Sequence, residues 1–200
     1  MVIRTLRTRI FHISDRNRWR DLDNHDIAWD KRTRNIAALI APDSNVIEFG
    51  AGRRQLPRWL PPRCGYIASD IVARGEQTLV CDLNKRPLPS LPHQTSVQVA
   101  VFSGVLEYVA DLPGVISWLA TQVDQVIASY NCITPADTVA ARIRAAAARL
   151  SAGWVNGFTQ AEFIASFDKA GFTLIKYVEG EKNEHIYVFS KSSRSNHLST

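Results

Sequence analysis

The chain has 200 residues, 46% hydrophobic and 22% charged, with a net charge of +5. That length suits one domain with a full core, and no run reaches the roughly 20 apolar residues of a transmembrane segment, which excludes a helical membrane span. The three cysteines, Cys64, Cys81 and Cys132, and the dispersed histidines form no paired spacing, which argues against a disulfide frame or a metal site and suits a reducing, cytoplasmic setting.

The front of the chain is basic. Within residues 1–20, Arg4, Arg7, Arg9, Arg16, Arg18 and Arg20 stand against one acid, Asp15, and residues 1–26 read as a solvated basic arm, extended and irregular over residues 1–18. An Arg-rich, acid-poor opening also fits a targeting peptide, an anionic-membrane contact or a nucleic-acid arm, whereas a secretory signal would need an apolar stretch that is absent.

Residues 27–40 carry Ile27, Ile36, Leu39 and Ile40 at near-helical spacing, and Pro42 and Asp43 end that helix. "NVIEFG" reads as a buried strand before a glycine turn. "RRQLPRWLPP" holds a short helix at most, because Pro57, Pro61 and Pro62 interrupt it. "YIASDI" (66–71) and "TLVCDL" (78–83) read as second and third strands, each β-branched and ending near an acid. "VQVAVFSGVL" (97–106) is apolar nearly throughout, as a central parallel strand covered on both faces should be.

Asp111 is placed to cap a helix with Pro113 in its first turn and Val115, Ile116, Leu119 and Val123 on one face. "QVIASY" (125–130) is a fifth strand. In "TPADTVAARIRAAAARL" the pattern predicts Thr134 as cap, Pro135 at the first position, Asp137 closing a capping box, and alanines packing closely. Thr159 and Glu162 repeat the box before Phe163, Ile164 and Phe167, and Gly171 ends that helix. The final apolar segments form a hairpin, and residues 191–200 read as a flexible tail. The alternation predicts an α/β fold: a doubly wound, mostly parallel sheet with helices on both faces, built as one domain over residues 27–190.

"VIEFGAGRRQL" is the informative stretch. A strand, a glycine turn and a helix start put backbone N–H groups at the sheet edge where such folds bind ligands. Gly50 and Gly52 are present, but Gln55 stands where a dinucleotide fingerprint has its third glycine, and Arg53 and Arg54 crowd the turn. Acids stand at three successive strand ends, Glu48, Asp70 and Asp82. Asp70 can accept both hydroxyls of a ribose. The set suits a cationic, ribose-bearing ligand and opposes a pyrophosphate.

In order and spacing, "VIEFGAG", "YIASDI", "LVCDLNKRPLP", "VAVFSGVLEYVADLPGVISWLA" and "GFTQAEFIASFDKAGF" resemble the motifs of class I S-adenosylmethionine-dependent methyltransferases, closest to the small single-domain, methionine-biosynthesis-protein-like type. The resemblance runs from about residue 27 to 190 and implies a seven-stranded Rossmann-like sheet with a C-terminal antiparallel hairpin. It implies S-adenosylmethionine as cofactor: Glu48, Gly50, Ala51 and Gly52 around its methionine end, Asp70 on the ribose, Ile71, Asp82 and Leu83 at the adenine, and Ser103 and Gly104 beside the sulfonium. The departure is Arg54, where the family has a third glycine.

Methyl transfer needs alignment more than acid–base chemistry, so few catalytic candidates arise: Glu107, Tyr108 and Asn131. The plainer readings make Glu107 a solvated surface acid, Asn131 a turn residue and His93 loop surface. Trp154 and Asn156 could form a lid, and Trp19 and Trp29 could cover the cofactor, although ordinary burial explains them too. A small-molecule or carrier-linked acceptor leads, because the Asn-Pro-Pro-aromatic run used on base and glutamine amides is absent. Nucleic acid remains a weaker alternative, and the oligomeric state is open. The rival readings are a binding or scaffolding module without turnover and a nicotinamide oxidoreductase, the latter lacking a Tyr-x-x-x-Lys pair. On sequence alone, Asp70→Ala should weaken cofactor binding by about 1.5–3 kcal/mol and leave the fold intact.

Overall fold

A computed structural model describes residues 2–21, 29–92, 96–135, 138–180 and 184–191. His93, Ile27 and Asp137, and the tail beyond residue 191, lie outside the described residues.

Seven strands form one sheet: β1 (Asn45–Phe49), β2 (Gly65–Asp70), β3 (Thr78–Val80), β4 (Val99–Phe102), β5 (Gln125–Asn131), β6 (Phe172–Val178) and β7 (Glu184–Lys191). Their order is β3-β2-β1-β4-β5-β7-β6. β1 pairs in parallel with β2 and β4, and β4 with β5. β7 runs antiparallel to both β5 and β6, which is the expected closing hairpin. Strand order therefore reverses between β1 and β4, and a doubly wound sheet opens a crevice at that reversal.

Each face of the sheet has its own core. On one, Ile47, Phe49, Ala100 and Phe102 pack with Val115, Ile116 and Leu119 of α4 (Leu112–Gln122) and with Phe163 and Phe167 of α6 (Gln160–Asp168). On the other, Val46, Val99, Val101 and Ile127 meet Ile36 and Ala37 of α3 (Trp29–Ala37) and Leu56 of a short 3-10 turn, Leu56–Arg58. β4 is buried along its whole length, as an uninterrupted apolar run requires. The helix boundaries that sequence chemistry specified recur: Asp111 accepts a bond from the Gly114 N–H, and Thr159 and Glu162 close a reciprocal capping box.

Three expectations are corrected. The opening arm is helical: α1 (Val2–Phe11) and α2 (Arg16–Arg20) occupy most of the stretch expected to be irregular. A ten-residue helix is marginal alone. Tertiary anchors hold this one, with Thr5 donating to the Leu150 carbonyl at 3.1 Å. Sequence reading missed it because the face turned inward carries Thr5 and Thr8 rather than an apolar stripe. The alanine-rich helix, α5, spans Val139–Ala152, and its cap is Thr138, which accepts from the Ala141 N–H at 3.2 Å. Thr134 is therefore not the cap. Nor do the alanines pack closely, since α5 has no buried residue. Among the described residues, no helix is long and apolar enough to cross a membrane.

Candidate functional site

A cavity lies over the C-terminal ends of β1, β2, β3 and β4, at the strand-order reversal. Gly50 and Phe49 come from β1 and its turn, and Asp70 and Ile71 from the end of β2. Cys81, Asp82, Leu83 and Asn84 follow β3, and Ser103 and Gly104 leave β4. The N-terminal helices and the link between them roof it with Thr5, Thr8, Ser14, Arg18 and Trp19, and Trp29 and Tyr108 close the sides. Seven of the expected cofactor-binding residues thus converge: Gly50, Asp70, Ile71, Asp82, Leu83, Ser103 and Gly104. Glu48, Ala51 and Gly52 stand outside the lining.

The acids differ in what holds them. Asp70 is buried; Oδ2 accepts from the Gly52 N–H at 2.9 Å and from Arg74 Nε at 3.1 Å, and Oδ1 accepts from the Val72 N–H at 3.0 Å. The Asp70 carboxylate therefore clamps the glycine turn of β1 to the end of β2. Asp82 accepts from the Ser14 hydroxyl at 2.6 Å and from the Asn84 N–H at 3.1 Å, with the Arg16 guanidinium 3.7 Å away. Glu48 is the next-to-last residue of β1, paired with Ala68 and Val101, and its side chain accepts the Tyr66 hydroxyl at 2.6 Å. Burial, first of all, raises its carboxyl to about 7; the bond from Tyr66 opposes the rise and the charge of Asp70 adds to it. The three-carboxylate cradle expected from sequence is corrected to two. Alternation along β1 turns Glu48 away from the cavity, and burial favours its neutral form.

Arg54 does not crowd the crevice. Its guanidinium leaves the turn and donates to the Thr78 hydroxyl at 2.6 Å, tying the turn to β3, and it is absent from the cavity wall. Arg54 holds a left-handed φ of 54° and Gly50 one of 66°. At Gly50 a side chain is excluded twice, because an added Cβ would also stand 2.6 Å from Val105 Cγ2. Gly50→Ala is accordingly expected to lower stability by about 1–2 kcal/mol through the left-handed backbone alone, with the contact adding to it. A denaturant titration checks this, and an unchanged midpoint would refute it.

Of the catalytic candidates, only Tyr108 reaches the cavity. Its hydroxyl accepts from Trp154 Nε1 at 3.3 Å, and its ring meets Trp19 edge-on at 4.8 Å between centroids. Burial is the largest cause of its raised pKa. Glu107 is not a solvated surface acid: it is 1% exposed, and Oε1 accepts from the Asn131 N–H at 2.9 Å and from its Nδ2 at 3.0 Å. Oε2 has no partner, and burial raises this pKa as well. Glu107 and Asn131 form a buried brace beneath the site. Asn156 is a second brace, donating to the Leu106 and Val109 carbonyls at 2.7 and 2.8 Å and accepting from the Tyr130 hydroxyl.

Sequence reasoning missed Ser14, Arg18, Arg32, Arg74 and Asn84. Arg32 of α3 donates to the Ser103 hydroxyl at 2.9 Å and pairs with Glu184, pinning the β4 turn to β7. Asn84 Nδ2 donates to the Tyr108 carbonyl at 2.8 Å, and its Oδ1 accepts from the Ala110 N–H at 2.7 Å. Arg18 lies over the Trp19 and Tyr108 rings at 4.7 and 5.5 Å. The density of arginine near Trp19 was the available signal, and it was read as surface charge.

A family model described as a methyltransferase domain matches residues 17–177. A search of the curated proteins finds no match. Similar solved structures include magnesium protoporphyrin IX methyltransferase from Synechocystis PCC 6803 with bound SAH, at 14% identity, covering 96% of this chain and 99% of that one with a TM-score of 0.58. Human N-acetylserotonin methyltransferase in complex with SAM gives 14% identity, 93% and 59% coverage and a TM-score of 0.63. An SAH-bound methyltransferase of calicheamicin biosynthesis gives 15%, 83% and 54%, and 0.57; this chain spans about half the length of that protein. At such identities the structures establish a shared Rossmann-like methyltransferase fold. The family match covers most of the chain, and with the strand order and the glycine-turn cavity it leads to one conclusion: the chain belongs to the methyltransferase-domain family.

Proposed function

We propose that the protein transfers a methyl group from S-adenosylmethionine to a small-molecule acceptor. One observation carries this reading: Asp70 and Asp82, at the ends of adjacent strands, meet Gly50 and Gly104 around a single cavity. The residues fit the cofactor. Gly50 lines the cavity with bare backbone, Ile71 and Leu83 offer apolar walls to a base, and two carboxylates offer acceptors for hydroxyl or amino donors. When bound, the cofactor supplies an already activated methyl on a sulfonium. The chain's own work is positioning, which can supply about 7–11 kcal/mol of a barrier. Asp70 and the Gly50 turn would hold the ribose and methionine ends, and Asp82 and Leu83 the base. Trp19, Trp29 and Tyr108 would exclude water.

Calorimetry with S-adenosylhomocysteine tests this directly. Binding is expected, and Asp82→Ala should weaken it by about 1.5–3 kcal/mol, the range for hydrogen bonds to a charged group. No heat and no thermal shift with excess ligand would overturn the assignment. The small-molecule acceptor is supported by what the similar structures are named for, since protoporphyrin and N-acetylserotonin are both small molecules. Three free cysteines support a reducing, cytoplasmic setting.

A second reading, binding without turnover, has one observation in its favour: Glu107 accepts both bonds from Asn131 through Oε1, away from the cavity. It predicts S-adenosylhomocysteine binding without methyl transfer to any acceptor panel. Labelled methyl appearing on one acceptor would remove it.

A further inference from the structure

α1 is inside out. The residues it buries are Thr5 and Thr8, while Ile3, Ile10 and Phe11 are 83%, 64% and 67% exposed. On a helix with about 100° between residues, Ile3, Arg7 and Ile10 fall on the side opposite the two threonines. α5 packs beside α1 and adds Val139 and Ile143, 70% and 64% exposed, one turn apart on one face. The two helices together carry six arginines and no acid; Arg149 turns inward to the Asn131 and Asn156 carbonyls and Arg4 lines the cavity beside Asp15, which leaves Arg7, Arg9, Arg142 and Arg144 for the outer face. Burial of large apolar side chains is the main gain of folding, so a helix that offers them to solvent beside arginines is incomplete without a second phase.

We propose that the α1–α5 face is a docking surface for an anionic lipid bilayer. Isoleucine and phenylalanine side chains would enter the interfacial layer, and arginines would meet the lipid phosphates. The charge pattern selects this occupant. A second copy of the chain would set one acid-free, arginine-bearing face against another, and like charges oppose that contact. A nucleic acid would take the arginines and leave the exposed isoleucines with no apolar partner. Thr5 and Thr8 of the same helix wall the cavity, so the bilayer would lie one helix diameter, about 10 Å, from the site.

Flotation of the full chain with vesicles tests this, comparing equimolar phosphatidylglycerol and phosphatidylcholine with phosphatidylcholine alone. Binding to the anionic vesicles is expected, weakening as salt rises, with little binding to the neutral ones. R7E/R9E is expected to weaken binding by about fivefold or more for each arginine lost. I3S/I10S is expected to abolish binding while leaving charge unchanged. All four side chains are outside the cavity, so both variants should keep the wild-type affinity for S-adenosylhomocysteine, which also shows that they fold. Failure to float with anionic vesicles overturns the proposal. So does flotation that both variants retain, or light scattering that shows a dimer dissolved by I3S/I10S without vesicle binding. Salt-sensitive RNA binding in place of flotation would likewise overturn it.

Discussion

Asp70→Ala is expected to destabilise the folded protein by about 3–5 kcal/mol, the cost of leaving one partner of a buried ion pair behind. Asp70 and Arg74 form such a pair, with side chains 5% and 9% exposed and 3.1 Å between Oδ2 and Nε. The carboxylate also satisfies the Gly52 and Val72 N–H groups, so its removal strands two backbone donors with the guanidinium. The consequence spreads to the roof of the cavity, because Arg74 also donates to the Trp19 and Arg20 carbonyls of α2. Where the sequence-based expectation was a lost ligand contact in an intact fold, these contacts add a structural cost, because the same carboxylate builds the site that would hold the ribose. Urea titrations of Asp70→Ala, Arg74→Ala and the double variant measure it. The double variant should be less destabilised than the sum of the two singles, since it leaves no orphaned charge. An Asp70→Ala protein within about 1 kcal/mol of wild type would show that the pair is not a structural element.

What could be read in advance was whatever depends on local rules. β1, β4 and β5 are short, largely apolar segments bounded by turn residues, and Asp111 and Thr159 cap helices through contacts only a few residues away. The site residues Gly50, Asp70, Asp82 and Gly104 were legible for a related reason, because strand ends in a doubly wound sheet must meet at one edge. What failed depended on distant partners. Glu107 is a lone acid in an otherwise apolar stretch, and β5 brings Asn131 to it across 24 positions of sequence where its side chain is buried. Arg54 reads as crowding the glycine turn because nothing nearby in sequence shows that Thr78, 24 positions on, awaits its guanidinium. The N-terminal roof was hidden most completely, since Thr5 and Ser14 make contacts with Leu150 and Asp82 that no periodicity announces.

Glu48→Gln is expected to stabilise the protein at alkaline pH by about 3 kcal/mol and to change little in mild acid. The Glu48 carboxyl rises from the ordinary 4.5 to about 7, chiefly because it is buried. Between those values the folded chain binds a proton that the unfolded chain has released, so stability falls as pH rises through that interval. The full contribution is present below about 4.5, and the loss is complete above about 7. Glutamine keeps the shape and still accepts the Tyr66 hydroxyl through its carbonyl oxygen, but it has no charge to desolvate. Subtracting the two proteins' unfolding energies at each pH cancels every other titration, so the difference between them isolates this one group. Curves that stay parallel from about pH 5 to pH 9 would show that Glu48 ionises freely where it stands. A difference opening across that range would place a neutral carboxylic acid at the root of the glycine turn near pH 7. Recognition of a cationic ligand would then fall to the two carboxylates that do line the cavity, Asp70 and Asp82.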